Sequence, residues 1–355
     1  MTRVVLCCMV LAAGSLVAAA SGLGRPGLVA ADQQIYVAPA AGGSARRLTS
    51  DDLAAHSPSW SPDGKRLAYV QGTHISVLDR AKSSTQRIVF ATLLGPDPPA
   101  WSPDGSRIAF TGLSSPEGFA TVGVVASTGS RTRTLASTPW GTGNSQRGPV
   151  WSPDGKLLAF CLQGPSLIGR GGVKSSGDLD LAVVTPSGSQ RRLTVAPGLE
   201  FDPTWSPDGR RVLYATEPRA GGSAAIRLVP RNGDLSRLIV RLASVGGVSW
   251  SPDGKQIAIT GSRPGDSRVH LYVVRPDGGG VRRLTGEVVP GKPAWSSDRR
   301  WIAVSDHDGR IVAVQPDGRG QRTVTTLPDM EIGHLAWSPD GTTIAFDARK
   351  QQPES

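Results

Sequence analysis

Six side chains able to move a proton or hold a charge occur at one recurring place, three or four residues ahead of a tryptophan: His56, Asp97, Arg147, Asp202, Lys292 and His334. Two imidazoles, two carboxylates and two cations around one mouth suit the binding of a polar peptide tail or a small anion-bearing ligand. A water-filled mouth is polar in any case, and the residues alone leave both readings open. Bond-making chemistry is harder to assemble. The five histidines, which include His74, His270 and His307, have no spacing of the His-Glu-x-x-His kind, and two imidazoles alone make a poor metal site. Asp306-His307-Asp308-Gly309 looks like a fragment of a calcium loop but lacks the remaining acidic ligands, and reads as a tight turn. No Ser/His/Asp set, phosphate loop or carboxylate pair stands out. The expectation is of no catalytic residue, no bound metal and no cofactor.

The element that places these residues is a five-residue sentence, Trp-Ser-Pro-Asp-Gly. It begins at Trp60, Trp101, Trp151, Trp205, Trp250 and Trp337, with a degraded copy, Trp-Ser-Ser-Asp-Arg, at Trp295. A period of this size in a strand-rich chain marks a propeller or a similar array. Proline presets the first corner of the turn, aspartate caps its own backbone, and glycine takes the left-handed position. Short apolar stretches with a small centre follow, such as Leu67-Ala68-Tyr69 and Ile344-Ala345-Phe346, with Val212-Leu213-Tyr214 the exception. A strand apolar on both sides is buried on both sides. The repeated sentence is therefore read as a hairpin between two inner strands, as scaffold and not as a reaction centre.

A second hairpin pattern alternates with the first. Gln34–Thr49, Ile75–Val89, Val122–Leu135, Leu181–Thr194, Ile226–Ile239, Leu271–Thr285 and Ile311–Val324 each read as two strands around a turn. The chain begins with one of these outer hairpins and ends with an inner one, Leu335 to Asp347. An orphan hairpin at each end would leave unpaired edges. The expected architecture is thus all-β, a seven-bladed propeller of four-stranded antiparallel blades, the last blade made from residues 34–49 and 335–347. This closure would bring His56 and His334 onto adjacent blades.

The aromatic strand start, Ser-Pro-Asp-Gly, the short strand with central alanine and the Tyr-Val…Gly…Arg-Arg-Leu-Thr tail resemble the repeat of the TolB-type β-propeller family, with six of seven copies intact. Ser297 and Arg299 depart from the pattern and are expected to weaken the sixth turn without altering the count. The resemblance implies a cell-envelope protein that binds other proteins. TolB itself adds an N-terminal α/β domain, and exported prolyl peptidases with a similar propeller add a hydrolase domain. No room for the former, and no Gly-x-Ser-x-Gly elbow for the latter, is seen here, so a propeller alone is expected.

The start of the chain reads as an export signal: Arg3, then the apolar run Val4 to Ala20, with cleavage near residue 20 or 31. Cys7 and Cys8 fall in this run, too near the start for a lipoprotein signal, and a mature chain would keep Cys161 alone, with no internal disulfide. Residues 32–348 would form one propeller and 349–355 a polar tail. The formal charge of +10 could announce nucleic acid, but much of it sits in the outermost strands, such as Arg46-Arg47, Arg191-Arg192 and Arg282-Arg283, where charge guards a sheet edge. Two long insertions flank Trp151, one carrying Trp140, an anchor candidate beside Arg147.

The function expected is an exported, non-enzymatic propeller that binds an envelope protein or peptide. It would be a monomer with no nucleic-acid partner and no stable membrane span in the mature chain. An envelope polysaccharide lyase or hydrolase using the funnel, or a small-ligand sensor, is the rival reading.

Overall fold

Each Trp-Ser-Pro-Asp-Gly turn is tied by its own side chains. In the first copy the Ser61 hydroxyl donates to Asp63 Oδ1 at 2.6 Å and the Lys65 amide donates to the same oxygen at 3.1 Å. The Arg66 amide donates back to Ser61 Oγ at 2.9 Å, and Gly64 holds a φ of 68°. The sixth copy, expected to be a weaker turn, keeps these bonds: Ser296 Oγ donates to Asp298 Oδ1 at 2.6 Å, and the Arg300 amide donates to the same oxygen at 3.0 Å. Only its conformation is costly. Arg299 stands at a φ of 66°, where a residue with a Cβ loses about 1–2 kcal/mol.

The structure, a computed structural model, describes residues 32–49, 53–90, 93–94, 97–113, 119–130, 132–139, 147–163, 166–169, 172–175, 178–217 and 222–351. The export signal lies outside them. The strands gather into antiparallel sheets in which sequence neighbours pair, as in Ala55–Trp60, Arg66–Gln71, His74–Asp79 and Ser84–Phe90. Two further four-stranded sheets run from Ser244–Trp250 to Arg282–Glu287 and from Ala294–Trp295 to Gln321–Thr326. In another sheet, Leu93–Leu94 and Ala100–Trp101 both pair with Arg107–Leu113, ahead of Phe119–Ala126 and Arg133–Pro139. The strands from Arg147–Trp151 to Arg237–Leu242 form one eight-stranded sheet, whose halves meet at a single parallel bridge, Leu179 to Leu199. The insertion after Trp151 carries a hairpin of its own, Ser166–Gly169 with Gly172–Ser175.

The two ends of the chain share a sheet. Gln34–Pro39 pairs antiparallel with Thr343–Lys350, from Gln34 opposite Ala348 to Pro39 opposite Thr343, and Met330–Trp337 flanks the latter. The last strand runs on to Lys350, past the Asp347 at which the pattern placed its end. Second and third strands are mostly buried, completely so in Ile257–Ser262 and Leu179–Val184, whereas outer strands such as Arg282–Glu287 are mostly exposed. The sheets therefore stack face to face, with the core between them.

Neighbouring repeats are tied at two radii by side chains the repeat itself supplies. The indole N–H of each of Trp60, Trp101, Trp151, Trp205 and Trp337 donates to a carbonyl just ahead of another repeat's tryptophan, at 2.9–3.1 Å: Ala336, Ser59, Ala100, Val150 and Ala294. Further out, Arg133 donates to Pro186 O and Ser187 O at 3.1 and 2.7 Å, and Arg191 to Arg231 O and Asn232 O at 2.7 and 2.6 Å. Arg237 and Arg282 make the same reach to Pro276 O and Pro316 O. Edge protection is thus an incomplete account of the rim charge, because these guanidinium forks also satisfy turn carbonyls of the next repeat. Among the described residues no helix is long and apolar enough to cross a membrane.

Candidate functional site

The first strand of several repeats slips register just ahead of its tryptophan: between His56 and Ser59, Arg147 and Val150, Phe201 and Thr204, Val245 and Gly247, and Ile332 and Leu335. Ser57, Gly148 and Asp202 there adopt φ values of 57°, 61° and 52°. Such a bulge frees amides from the ladder and re-aims side chains. Carboxylates from elsewhere in the chain take up three of the freed amides. Asp97 Oδ2 accepts from the Gly148 amide at 3.0 Å, Asp202 Oδ2 from the Val248 amide at 2.7 Å, and Asp347 Oδ2 from the Ser57 amide at 2.6 Å. Asp97 and Asp202 were expected as ligand contacts; each also fastens one repeat to the next.

Asp347 was not among the expected residues. It has no exposed surface and lies at the centre of a polar cluster. Its Oδ1 accepts from the His334 amide at 3.2 Å, and its Oδ2 lies 3.3 Å from His334 Nδ1. Ser57 Oγ sits between His334 Nδ1 at 3.3 Å and His56 Nδ1 at 2.9 Å. Gly333 is required beside it, since a Cβ there would meet Asp347 Oδ1 at 2.0 Å. Burial alone would push the Asp347 carboxyl up, but the bond to His334 and its charge, with the Ser57 amide, hold it below the ordinary value. Burial likewise opposes a proton on His334, yet the bond and charge of Asp347 outweigh it and raise that histidine. His56 goes the other way: burial lowers it to about 4, against the pull of Asp347 and with the repulsion of His334.

Serine, histidine and aspartate thus meet here, but not as a nucleophilic triad. In a triad the carboxylate and the hydroxyl engage opposite nitrogens of the imidazole. Here both face the same atom, His334 Nδ1, and Ser57 is completely buried. The cluster can hold a protonated, half-exposed imidazole in place. It cannot pass a proton from serine to aspartate.

Lys292 arrives from the Trp295 repeat. Its ammonium lies 2.7 Å from Asp202 Oδ1, on a side chain 41% exposed. The path runs over Gly246 and Gly247, where a Cβ would meet Pro290 Cα at 2.9 Å and Lys292 Cα at 2.7 Å respectively, so the bare backbone is what admits the crossing loop. Asp97 and Lys292 both act electrostatically on His334, the first raising and the second lowering its affinity for a proton. Charges from three separate repeats therefore bear on one space. His56 differs from the expectation, being buried beneath that space at 5% exposure. Arg147 enters its strand opposite Cys161; its side chain, like Trp140, lies outside the described part. Among the described residues no group of three or more His, Cys, Asp or Glu side chains is arranged to hold a metal.

Stacked antiparallel sheets, tied repeat to repeat and converging on a polar mouth, define a β-propeller. Residues 239–351 match the family described as the lipoprotein LpqB beta-propeller domain. The putative TolB of Agrobacterium tumefaciens superposes with a TM-score of 0.59 over 91% of this chain and 99% of its own, at 21% identity. An oligogalacturonate lyase in complex with manganese does so at 0.57, over 87% and 80%, at 14% identity. The uncharacterized peptidase YuxL of Bacillus subtilis (strain 168) is 27% identical over 183 residues, 50% of this chain and 20% of that relative. This chain has a β-propeller fold similar to that of these solved structures.

Proposed function

We propose that the chain is an exported, non-enzymatic binding scaffold of the cell envelope: seven blades in one ring, with a protein or peptide segment held at the channel mouth. The observation that carries the reading is the set of contacts between repeats ahead of the tryptophans, Asp97 on Gly148, Lys292 on Asp202 and Asp347 on Ser57, beside a Ser57–His334–Asp347 arrangement whose geometry does not suit nucleophilic chemistry. Ring closure is supported by the pairing of Gln34–Pro39 with Thr343–Lys350 and by the Trp60 bond to Ala336. The count of seven follows the seven tryptophan turns, with the eight-stranded sheet read as two blades joined at one bridge. Export is supported by the apolar start of the chain and by the lipoprotein named in the matching family.

The mouth carries two cationic groups with exposed surface, Lys292, paired with Asp202, and His334, whose affinity for a proton Asp347 raises. A peptide carrying carboxylates, its C-terminus included, fits that charge. The test is a crosslinking capture from envelope extracts with the wild type and with Lys292→Ala/His334→Gln. A specific protein held by the first and lost, at least tenfold, by the second is expected. Equal capture by both, or none by either, would remove the proposal.

A polysaccharide lyase is the second reading, favoured by the likeness to the lyase fold and by an imidazole poised at the mouth. Incubation with uronic-acid oligomers and manganese separates the two readings: a lyase releases unsaturated uronate ends, and the scaffold releases none.

A further inference from the structure

Five of the seven repeat tryptophans lie beneath a guanidinium: Trp101 under Arg66 at 4.7 Å, Trp60 under Arg80 at 5.0 Å, Trp151 under Arg107 at 5.3 Å, Trp205 under Arg231 at 5.6 Å and Trp250 under Arg211 at 5.9 Å. The arginine comes from one of two places. It is either the residue opening the second strand of the preceding repeat, as Arg66, Arg107 and Arg211 are, or it follows the third strand of the same repeat, as Arg80 and Arg231 do. For Trp295 those two places hold Gln256 and Pro316, and neither side chain carries a charge. Trp337 also lacks an arginine, but there the first place is filled by another indole, Trp301.

The consequence is a groove of about 450 Å³ beside Trp295, lined by Asp253, Gln256, Asp298, Pro316 and Asp317. It lies at the turn end of the strands, away from the bulges that form the mouth. The Trp205 repeat supplies the pattern for what the groove lacks. There Arg231 stacks on the indole while Asp154 Oδ2, from the preceding turn, accepts from it at 2.8 Å. At Trp295 the matching carboxylate is Asp253, whose Oδ1 takes the Ser251 hydroxyl and the Lys255 amide and whose Oδ2 is met by Arg299 at 3.3 Å, from a side chain 56% exposed. Asp298 and Asp317 take turn amides on Oδ1, which leaves Oδ2 of each facing solvent. Of the arginines bordering the groove, Arg282 donates to Pro316 O and Arg299 to Asp253, and Arg300 acts on Asp298 through its charge. Three arginines and three aspartates border the groove, so its formal charge is balanced, and a cation entering it meets an indole with no guanidinium stacked on it and the second carboxylate oxygens of Asp298 and Asp317. Five sister repeats place an arginine over the corresponding indole, and that pattern points to a guanidinium as the occupant here.

We propose that this groove receives an arginine side chain of a partner polypeptide, its guanidinium on the face of Trp295 and its charge met by Asp298 and Asp317. The site lies apart from the channel mouth and stands or falls independently of it. The full chain, labelled at its indole nitrogens, is titrated with an end-blocked Gly-Gly-Arg-Gly-Gly peptide and with its citrulline and aspartate counterparts. The Trp295 signal is assigned through Trp295→Phe. Saturable movement of that signal by the arginine peptide is expected, with the citrulline peptide at least tenfold weaker. Gln256→Arg, which restores the internal stack, is expected to weaken arginine-peptide binding at least tenfold while the melting temperature holds or rises. Equal binding of the citrulline peptide, preference for the aspartate peptide, undiminished binding by Gln256→Arg, or no saturable movement would each overturn the proposal.

Discussion

Ser57, His56 and His334 surround one fully buried carboxylate, Asp347, which favours a proton on both histidines, but burial outweighs it at His56 and not at His334. Between the ordinary value of 6.5 and about 4, an unfolded chain protonates His56 and the folded one does not. Stability therefore falls as pH falls through that window. His334 has the other sign. Its raised affinity stabilises the fold below the ordinary histidine value and is lost as pH rises through the raised one. Asp347, held low, loses its contribution only below the usual carboxylate range. Urea unfolding of His56→Gln is predicted to show a loss between about pH 7 and about pH 5 that is smaller than the wild-type loss by roughly 2 kcal/mol. An unchanged loss would contradict the assignment. Asp347 was visible in the sequence in one respect. The matching place in the other second strands holds Val70, Thr111, Cys161, Ala215, Thr260 or Ser305, and only the last repeat has a charge there. What the sequence does not disclose is the amide it serves, 290 positions away at Ser57, because a bulge donor belongs to the folded backbone.

At the level of elements, the tryptophan turn was readable because its chemistry is local: the Ser61–Asp63 bond and the left-handed Gly64 lie within five residues of each other. The alternation of hairpins gave the sheet order for the same reason. The ties between repeats were not readable in this way. Arg191 and Arg282 look like edge charges until the facing turn carbonyls of Asn232 and Pro316 are placed. Identical tryptophans also turn out to carry unequal loads. Trp101 donates to Ser59 O at 3.1 Å and lies under Arg66, whereas Trp295 has a buried indole N–H with no partner and no arginine above it. Trp101→Phe is predicted to cost about 1–2 kcal/mol more than Trp295→Phe, the sum of one hydrogen bond and one cation–π contact. Denaturant midpoints of the two variants check this, and equal losses would mean that the ties carry little energy.

For the whole molecule, the proposed binding mouth depends on contacts that run from repeat to repeat. Each tie links one repeat to another, from the Trp60 indole on Ala336 to the Arg forks of the outer strands, so the mouth residues are held by contacts between repeats as well as by their own strands. Lys292 illustrates this: its place over Asp202 depends on two glycines of the intervening repeat. The +10 formal charge reads differently at this scale, since part of it fastens the rim and part faces the mouth. The most direct test of the central claim uses a photoreactive side chain at Gly291, beside Lys292, where an added Cβ meets open space, and a control at exposed Lys65 on the opposite, turn-bearing end. Irradiation in intact envelopes is predicted to give a discrete protein adduct from position 291 and none from position 65. An adduct from position 65 alone, or none from position 291, would contradict the claim that the channel mouth is where this propeller binds its partner.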